Sequence, residues 1–244
     1  MCATLTGMPA ASIRAKARAE MINEIKAIAR RHLAAEGANL SLRAVAREMG
    51  MVSSAIYRYF PSRDELLTAL IVDAYHAVGE AAETGDAQVT DRTDLRGRWL
   101  ATCHAVRHWA LAHPAEYALL FGSPVPGYAA PPDTVVAAAR TPVTLIRILV
   151  DGFTAGTLTA PDPDELPGAV RADLTPVRDT LASLGDESFA DLPETLLARG
   201  MTGWIHCFGT ISFELFGQFN NVIEARDQHF DHQMRQMAAL LALP

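Results

Sequence analysis

The sequence predicts an all-α fold: a small N-terminal unit of three helices, a long connecting helix, and a larger helical body. Three observations predict it. Apolar residues recur at helical spacing along most of the 244 residues. No stretch alternates apolar and polar as a half-buried strand would. Ser, Gly and Pro fall where helices start and stop.

The first helix is expected over 12–36, where Met21, Ile25, Ile28, Ala29 and Leu33 share one face and Gly37 follows as a C-terminal cap. Ser41 N-caps a second, short helix whose buried stripe is Leu42, Val45, Ala46 and Met49, and Gly50 closes it. A third short helix over 53–59 ends before Pro61. Ser62 and Glu65 have capping-box spacing and open a fourth helix that runs to about Ala82. The polar residues 83–94 read as a loop. Further helices are expected over 95–112, 114–121, 134–156 with Pro142 as a kink, and 174–184. A long apolar helix over 193–219 and an amphipathic one over 224–243 complete the chain. The Gly- and Pro-rich residues 122–132 and the acidic, Pro-rich residues 159–167 are loops. The expected organisation is a head over 12–61, a lever helix over 62–82 and a body over 83–244.

Composition narrows the function. Half the residues are hydrophobic and a fifth charged, as in an ordinary globular protein. No apolar run reaches the roughly 18–20 residues of a membrane span, and residues 1–11 do not read as a secretory signal. Cys2, Cys103 and Cys207 are odd in number and widely spaced, which fits a reducing, cytoplasmic setting rather than a disulfide framework. The net charge of −7 argues against nucleic acid if taken whole, but it is unevenly spread. Residues 1–75 carry ten Lys and Arg against seven Asp and Glu, a net of +3, and the remainder carries −10. Only local positive charge displaces phosphate counterions, so a basic head on an acidic body is compatible with DNA.

The informative stretch is residues 40–67, LSLRAVAREMGMVSSAIYRYFPSRDELL. Two short helices joined by a Gly-containing turn form a helix-turn-helix, whose second helix enters the major groove. That helix is expected to pack through Val52, Ile56 and Phe60 and to expose Ser53, Ser54, Ala55, Tyr57 and Arg58. The serines would bring the helix N-terminus close to phosphate, and Ala55 would meet a thymine methyl. Tyr57 and Tyr59 would donate to phosphates, and Arg58 would reach a guanine edge or a phosphate. Arg43 and Arg63 would clamp phosphates on either side. Arg14, Lys16 and Arg18 would form a basic arm. An ordinary helical corner with solvated Arg and Ser is the alternative from spacing alone.

Leu42, Ala46, Gly50, Ile56, Tyr57, Phe60, Pro61, Ser62, Asp64, Glu65 and Leu66 together resemble the DNA-binding domain of TetR-family bacterial regulators. The resemblance covers about residues 14–75. It implies DNA contacts from Arg43, Ser53, Ser54, Ala55, Tyr57, Tyr59 and Arg63. Two positions depart from the pattern: Val52 stands where the family has a capping Ser or Thr, and Arg63 replaces the usual Lys.

The body resembles the WHG group of TetR-type regulatory domains. It does so through Trp109-Ala110, His113-Pro114-Ala115-Glu116-Tyr117 and Leu120 to Tyr128, and through a late W-x-x-x-H-G pattern. Trp204 and Gly209 fit that pattern, and Phe208 occupies the His position. The resemblance implies an inducer cavity between the middle helices. Large apolar candidates for its lining are Trp99, Cys103, Val106, Tyr117, Phe121, Leu149, Phe153, Trp204 and Phe208. Each of them, taken singly, reads more readily as core than as ligand contact. His104 with His108, and His229 with His232, are short pairs without the further ligands a metal site needs. No metal or other cofactor is expected. No phosphate loop, nucleophile elbow or zinc-protease motif occurs, so an enzyme is not expected.

The helix over 201–219 is apolar on nearly every side, more than one core face requires. Paired with the last helix, it would build an isologous four-helix dimer interface from Phe208, Ile211, Ser212, Leu215, Phe216, Phe230, Met234, Met237 and Leu241. The leading expectation is a homodimeric repressor that binds an inverted-repeat, double-stranded DNA operator, released by a small, largely apolar effector, with no membrane partner. The alternative is an all-helical small-molecule binding protein or enzyme without sequence-specific DNA binding.

Overall fold

A computed structural model describes residues 10–37, 40–183 and 187–244. Cys2 and Leu184 lie outside these residues. The described residues form ten α-helices: α1 (Ala10–Glu36), α2 (Leu42–Glu48), α3 (Ser53–Ile56), α4 (Arg63–Ala87), α5 (Leu95–Ala112), α6 (Pro114–Phe121), α7 (Thr134–Thr154), α8 (Gly168–Ser183), α9 (Glu194–Leu215) and α10 (Arg226–Leu240). Single 3-10 turns at Pro163–Glu165 and Glu187–Phe189 complete the regular structure, and no strand occurs among the described residues.

The helices begin where short side chains can meet orphan amides. Ser41 accepts from the Ala44 amide at 3.4 Å and Ser62 from the Glu65 amide at 3.1 Å. Asp94 caps α5 by accepting from the Gly97 amide at 2.7 Å. Between α2 and α3 the chain turns at Gly50 with φ of 67°, a left-handed conformation that glycine adopts without a Cβ clash.

Two cores result. The head buries Ile25, Ile28, Leu40, Leu42, Val45, Ile56, Phe60, Leu66, Leu67 and Leu70 against one another. Val125, from the loop after α6, closes this core, and Tyr128 of the same loop shares a 2.9 Å hydrogen bond with Thr68 of α4. The loop therefore stitches the body to the head. The body has its own larger core around Trp99, Tyr117, Leu149, Phe189, Phe230 and Leu241.

Several element bounds differ from the sequence reading. α4 continues five residues past Ala82, to Ala87, because Ala82 and Gly85 are buried. A Cβ on Gly85 would lie 2.7 Å from that of Ala105, so α4 and α5 touch closely there. Asp86, which reads as loop, instead accepts from Arg98 at 2.7 Å. α3 is a single helical turn, continued to Phe60 by bonds from the Tyr59 and Phe60 amides to the Ile56 carbonyl. α8 starts at Gly168, six residues earlier than its apolar pattern suggests, and holds Pro176 inside.

Candidate nucleic-acid interface and body cavities

α3 is anchored by one residue. Ile56 is fully buried in the head core, so the remaining side chains of the turn face outward. Ser53, Ser54, Tyr57 and Arg58 are exposed, and Ala55 and Tyr59 are half-buried. Arg43 projects from the start of α2 onto solvent. Among the described residues, neither Arg43 nor Arg58 has a carboxylate partner for its side chain. Val52 is not the core contact that the sequence suggests. It is 72% exposed, because it sits at the N-cap position before α3, where the chain is still extended and its side chain points away from Ile56. It gives no side-chain cap to the helix.

Two further cations shape this face. Arg18 of α1 donates to the Arg58 carbonyl at 3.1 Å and lies 5.2 Å from the Tyr59 ring centre, so it ties α1 to the end of the recognition turn. Arg63 is half-buried; its Nε donates to the Leu40 carbonyl at 3.2 Å and its Nη1 lies 3.6 Å from Asp64. It pins the start of α4 to the start of α2. Other head cations face inward: Lys26 and Arg30 of α1 meet Asp73 of α4 at 2.7 and 2.6 Å. Arg31 and His32 both reach Glu48 of α2 at 2.6 Å, and these hydrogen bonds hold its carboxyl below the usual range.

In the body, the candidate cavity residues divide. Trp99, Cys103, Val106 and Leu149 are core. The Trp99 indole donates to the Met234 carbonyl at 3.0 Å, and burial followed by the Cys207 thiol pushes the Cys103 thiol up. Tyr117 is also fully buried, with its hydroxyl donating to the Phe208 carbonyl at 3.0 Å and lying 2.9 Å from the Ser212 hydroxyl. Burial pushes its titration upward. Phe153 of α7 packs half-buried against the body core.

Phe121, Trp204 and Phe208 do come together. They line a groove of about 330 Å³ with Tyr75 of α4 and with Thr134, Val135, Ala138, Ala139, Thr141 and Pro142 of α7. The Phe121 and Phe208 rings meet edge-on at 4.6 Å, and Trp204 and Tyr75 extend the aromatic wall at 6.0 and 6.2 Å. The sequence reading missed Tyr75 and the α7 wall. The i, i+3, i+4, i+7 spacing of Val135, Ala138, Ala139 and Pro142 is the signal that marks that wall as one face.

The expected interface residues also divide. Ile211, Phe230, Met234 and Leu241 are fully buried within the protomer, and Phe208 and Met237 nearly so. The α10 stripe closes the body core over Trp99 and α5, so it offers no surface to a partner. The apolar surface left outward is a different face of α9, where Ile205 is 61% and Phe213 54% exposed, with Leu240 of α10 at 58% beside it. Gly209, Phe219 and His229 line a groove of about 400 Å³ along that face. Phe216 is exposed, and Ser212 and Leu215 are half-buried.

Buried ion pairs hold these surfaces in place. Arg107 of α5 makes a two-pronged bond to Glu214 of α9, 2.7 Å each, and meets Asp227 of α10 at 2.8 Å. These carboxylates raise its pKa against the opposing effect of burial. Arg98, fully buried, joins Asp86 of α4 and Asp151 of α7 at 2.7 and 2.8 Å. His104 meets Asp231 at 3.2 Å. Among the described residues no three His, Cys, Asp or Glu side chains converge as metal ligands, and no helix is long and apolar enough to cross a membrane.

A one-turn recognition helix with exposed hydroxyls and cations, set on a three-helix head above an all-helical body, defines a helix-turn-helix DNA-binding protein. The model for bacterial regulatory proteins of the tetR family matches residues 25–70, and that for the tetracyclin repressor-like C-terminal domain matches residues 99–237. The HTH-type transcriptional regulators Rv1816 of Mycobacterium tuberculosis and Mb1846 of Mycobacterium bovis are each 39% identical over 236 residues, covering 94% of this chain and 95% of theirs. The solved structure of regulatory protein SCO4313 is 35% identical, with a TM-score of 0.70 over 95% of this chain and all of that one. The chain belongs to the TetR family of transcriptional regulators. That membership sets aside the alternative of a helical enzyme without DNA recognition.

Proposed function

We propose that the protein is a homodimeric repressor that binds an inverted-repeat operator and is released by a small, largely apolar effector held in the Phe121–Trp204–Phe208 groove. One observation carries this reading: α4 belongs to both ends of the molecule. Leu66, Leu67 and Leu70 sit in the head core, and Tyr75, about one and a half to two and a half turns along the same helix, forms a wall of the groove. A ligand that parts Tyr75 from Phe121 displaces the helix on which the head is mounted.

The outward face of α9, with Ile205, Gly209 and Phe213, supplies the dimer surface, and Leu240 extends it. Exposed large apolar side chains that line up along one helix face mark such an interface. Two recognition turns related by the dimer axis would enter major grooves about 34–36 Å apart or a multiple of that. On each, Arg43, Tyr57, Tyr59 and Arg58 address the backbone, and Val52, Ser53, Ser54 and Ala55 face base edges. Arg63 is better placed to hold α2 against α4 than to reach far onto phosphate. Effector and operator then oppose each other by linkage, each weakening the other by one factor.

The test is selection of bound sequences from a random DNA pool by the purified, ligand-free protein at moderate salt. An enriched inverted repeat, lost with Tyr57→Ala and with Arg43→Ala, supports the reading. A pool that stays random contradicts it.

A further inference from the structure

The groove's chemistry narrows what it can hold. Ten side chains line it and none of them is charged: four are aromatic, and the remainder are Thr, Val, Ala and Pro. A charged ligand group placed there would lose its water without gaining a counter-charge. The four rings pack edge-on into one aromatic wall, against which a flat, apolar body can lie.

One lining residue holds a polar atom that neither water nor a protein group meets. The Trp204 indole nitrogen, like that of Trp109 away from the groove, is closed to water and has no hydrogen-bond partner, so an acceptor in the groove meets it only when the wall parts around the ligand. Trp99, on neighbouring α5, instead gives its N–H to the Met234 carbonyl. Of the other polar groups near the groove, the Tyr75 and Thr141 hydroxyls make no hydrogen bond among the described residues, and two more are engaged. The Thr134 hydroxyl donates to the Pro131 carbonyl at 2.8 Å, and the Tyr117 hydroxyl behind the rings is shared between Phe208 and Ser212. A buried donor left unmet in a polar-poor site is a standing cost that a bound acceptor removes.

We propose that the groove takes an uncharged, planar aromatic molecule bearing a hydrogen-bond acceptor, such as a ring-conjugated carbonyl, which receives the Trp204 indole N–H. This rests on the reading of the groove as the effector site and adds the chemistry of its occupant. An apolar molecule of the same shape without the acceptor fills the groove but leaves the indole unsatisfied.

The matched probes are 1-indanone and indane, which differ by the carbonyl. Calorimetric titration of the full chain is expected to show both binding, with indanone tighter by about fivefold or more, the worth of one neutral hydrogen bond. Trp204→Phe removes the donor and keeps the ring, and is expected to equalise the two probes. The wild-type protein offers a second readout, independent of how that variant folds. Of its three tryptophan indole N–H signals, the Trp204 signal should move downfield with indanone and not with indane. Equal binding of both probes by the wild type, or an indanone preference that survives in Trp204→Phe, overturns the acceptor assignment and leaves the groove as a site. Binding of neither probe at roughly millimolar concentration overturns the effector reading of the groove, and the inference with it.

Discussion

The head and the body use their cations in opposite ways. In the body, Arg98, Arg107, Arg140, Arg178 and Arg235 all close on carboxylates of neighbouring helices or turns, and two of them do so fully or almost fully buried. In the head, the half-buried Lys26 and Arg30 and the exposed Arg31 pair likewise. Arg43 and Arg58, around the recognition turn, do not. A chain of net charge −7 can therefore address DNA, because, among the described residues, its body closes six of its eleven arginines on its own carboxylates and its head leaves Arg43 and Arg58 unpaired beside the recognition turn. Charge that is paired inside a core carries structure, and charge that is exposed and unpaired is available to a ligand.

The comparison breaks most visibly at Arg107. Arg107→Met leaves Glu214 buried without its partner, and stability in chemical denaturation is expected to fall by about 3–5 kcal/mol. Arg43→Ala, in the head, should change stability by less than about 0.5 kcal/mol. Equal losses from the two variants would erase the distinction. Next in size, Tyr57→Ala should weaken operator binding by about 1.5–3 kcal/mol, the worth of a hydrogen bond to a charged group, with an unchanged melting curve. A smaller effect is expected from Ser62→Ala, which removes the cap of α4 and should cost about 1 kcal/mol, read as faster amide exchange at the start of that helix.

Val52 sharpens the head's side of the comparison, since it is an exposed apolar side chain on a cationic surface. If it meets a thymine methyl, replacing that thymine by uracil in each half-site should weaken binding by about fourfold per site, and Val52→Ala should lose the distinction. The smallest effect lies at α10. A hydrogen bond from Arg235 holds the Asp231 carboxyl below its ordinary range against the opposing effect of burial, and a further one from His104 adds to it. A depressed folded value means that this contribution is present above the ordinary carboxylate pKa and is lost as pH falls through the folded one. Asp231→Asn should therefore be less stable than the wild type near neutrality and match it in strong acid.

Much of the fold was legible because helix periodicity is local. The predicted 95–112 and 114–121 are the observed bounds of α5 and α6, since Asp94 and Pro114 mark them in the chain itself. The head core was legible for the same reason. What periodicity does not say is which partner covers an apolar face. The stripe Phe230, Met234, Met237 and Leu241 looks like an interface in sequence, and the chain's own α5 covers it. The groove was legible only in its aromatic members, because its walls come from α4, α6, α7 and α9, up to 133 positions apart in the chain. Val52 was misplaced because a helix of one turn has no settled face, and the residue before it follows extended geometry.

The central claim is that DNA is met by the head's unpaired cations and not by the body's. The most direct test is the salt dependence of operator affinity for the wild type, Arg43→Ala and Arg178→Gln. With two copies of Arg43 in the proposed dimer, its removal should flatten the log–log slope by about 1.8, from roughly 0.9 per phosphate contact, and Arg178→Gln should leave the slope unchanged. An unchanged slope in Arg43→Ala, or an equal flattening in Arg178→Gln, would contradict the claim.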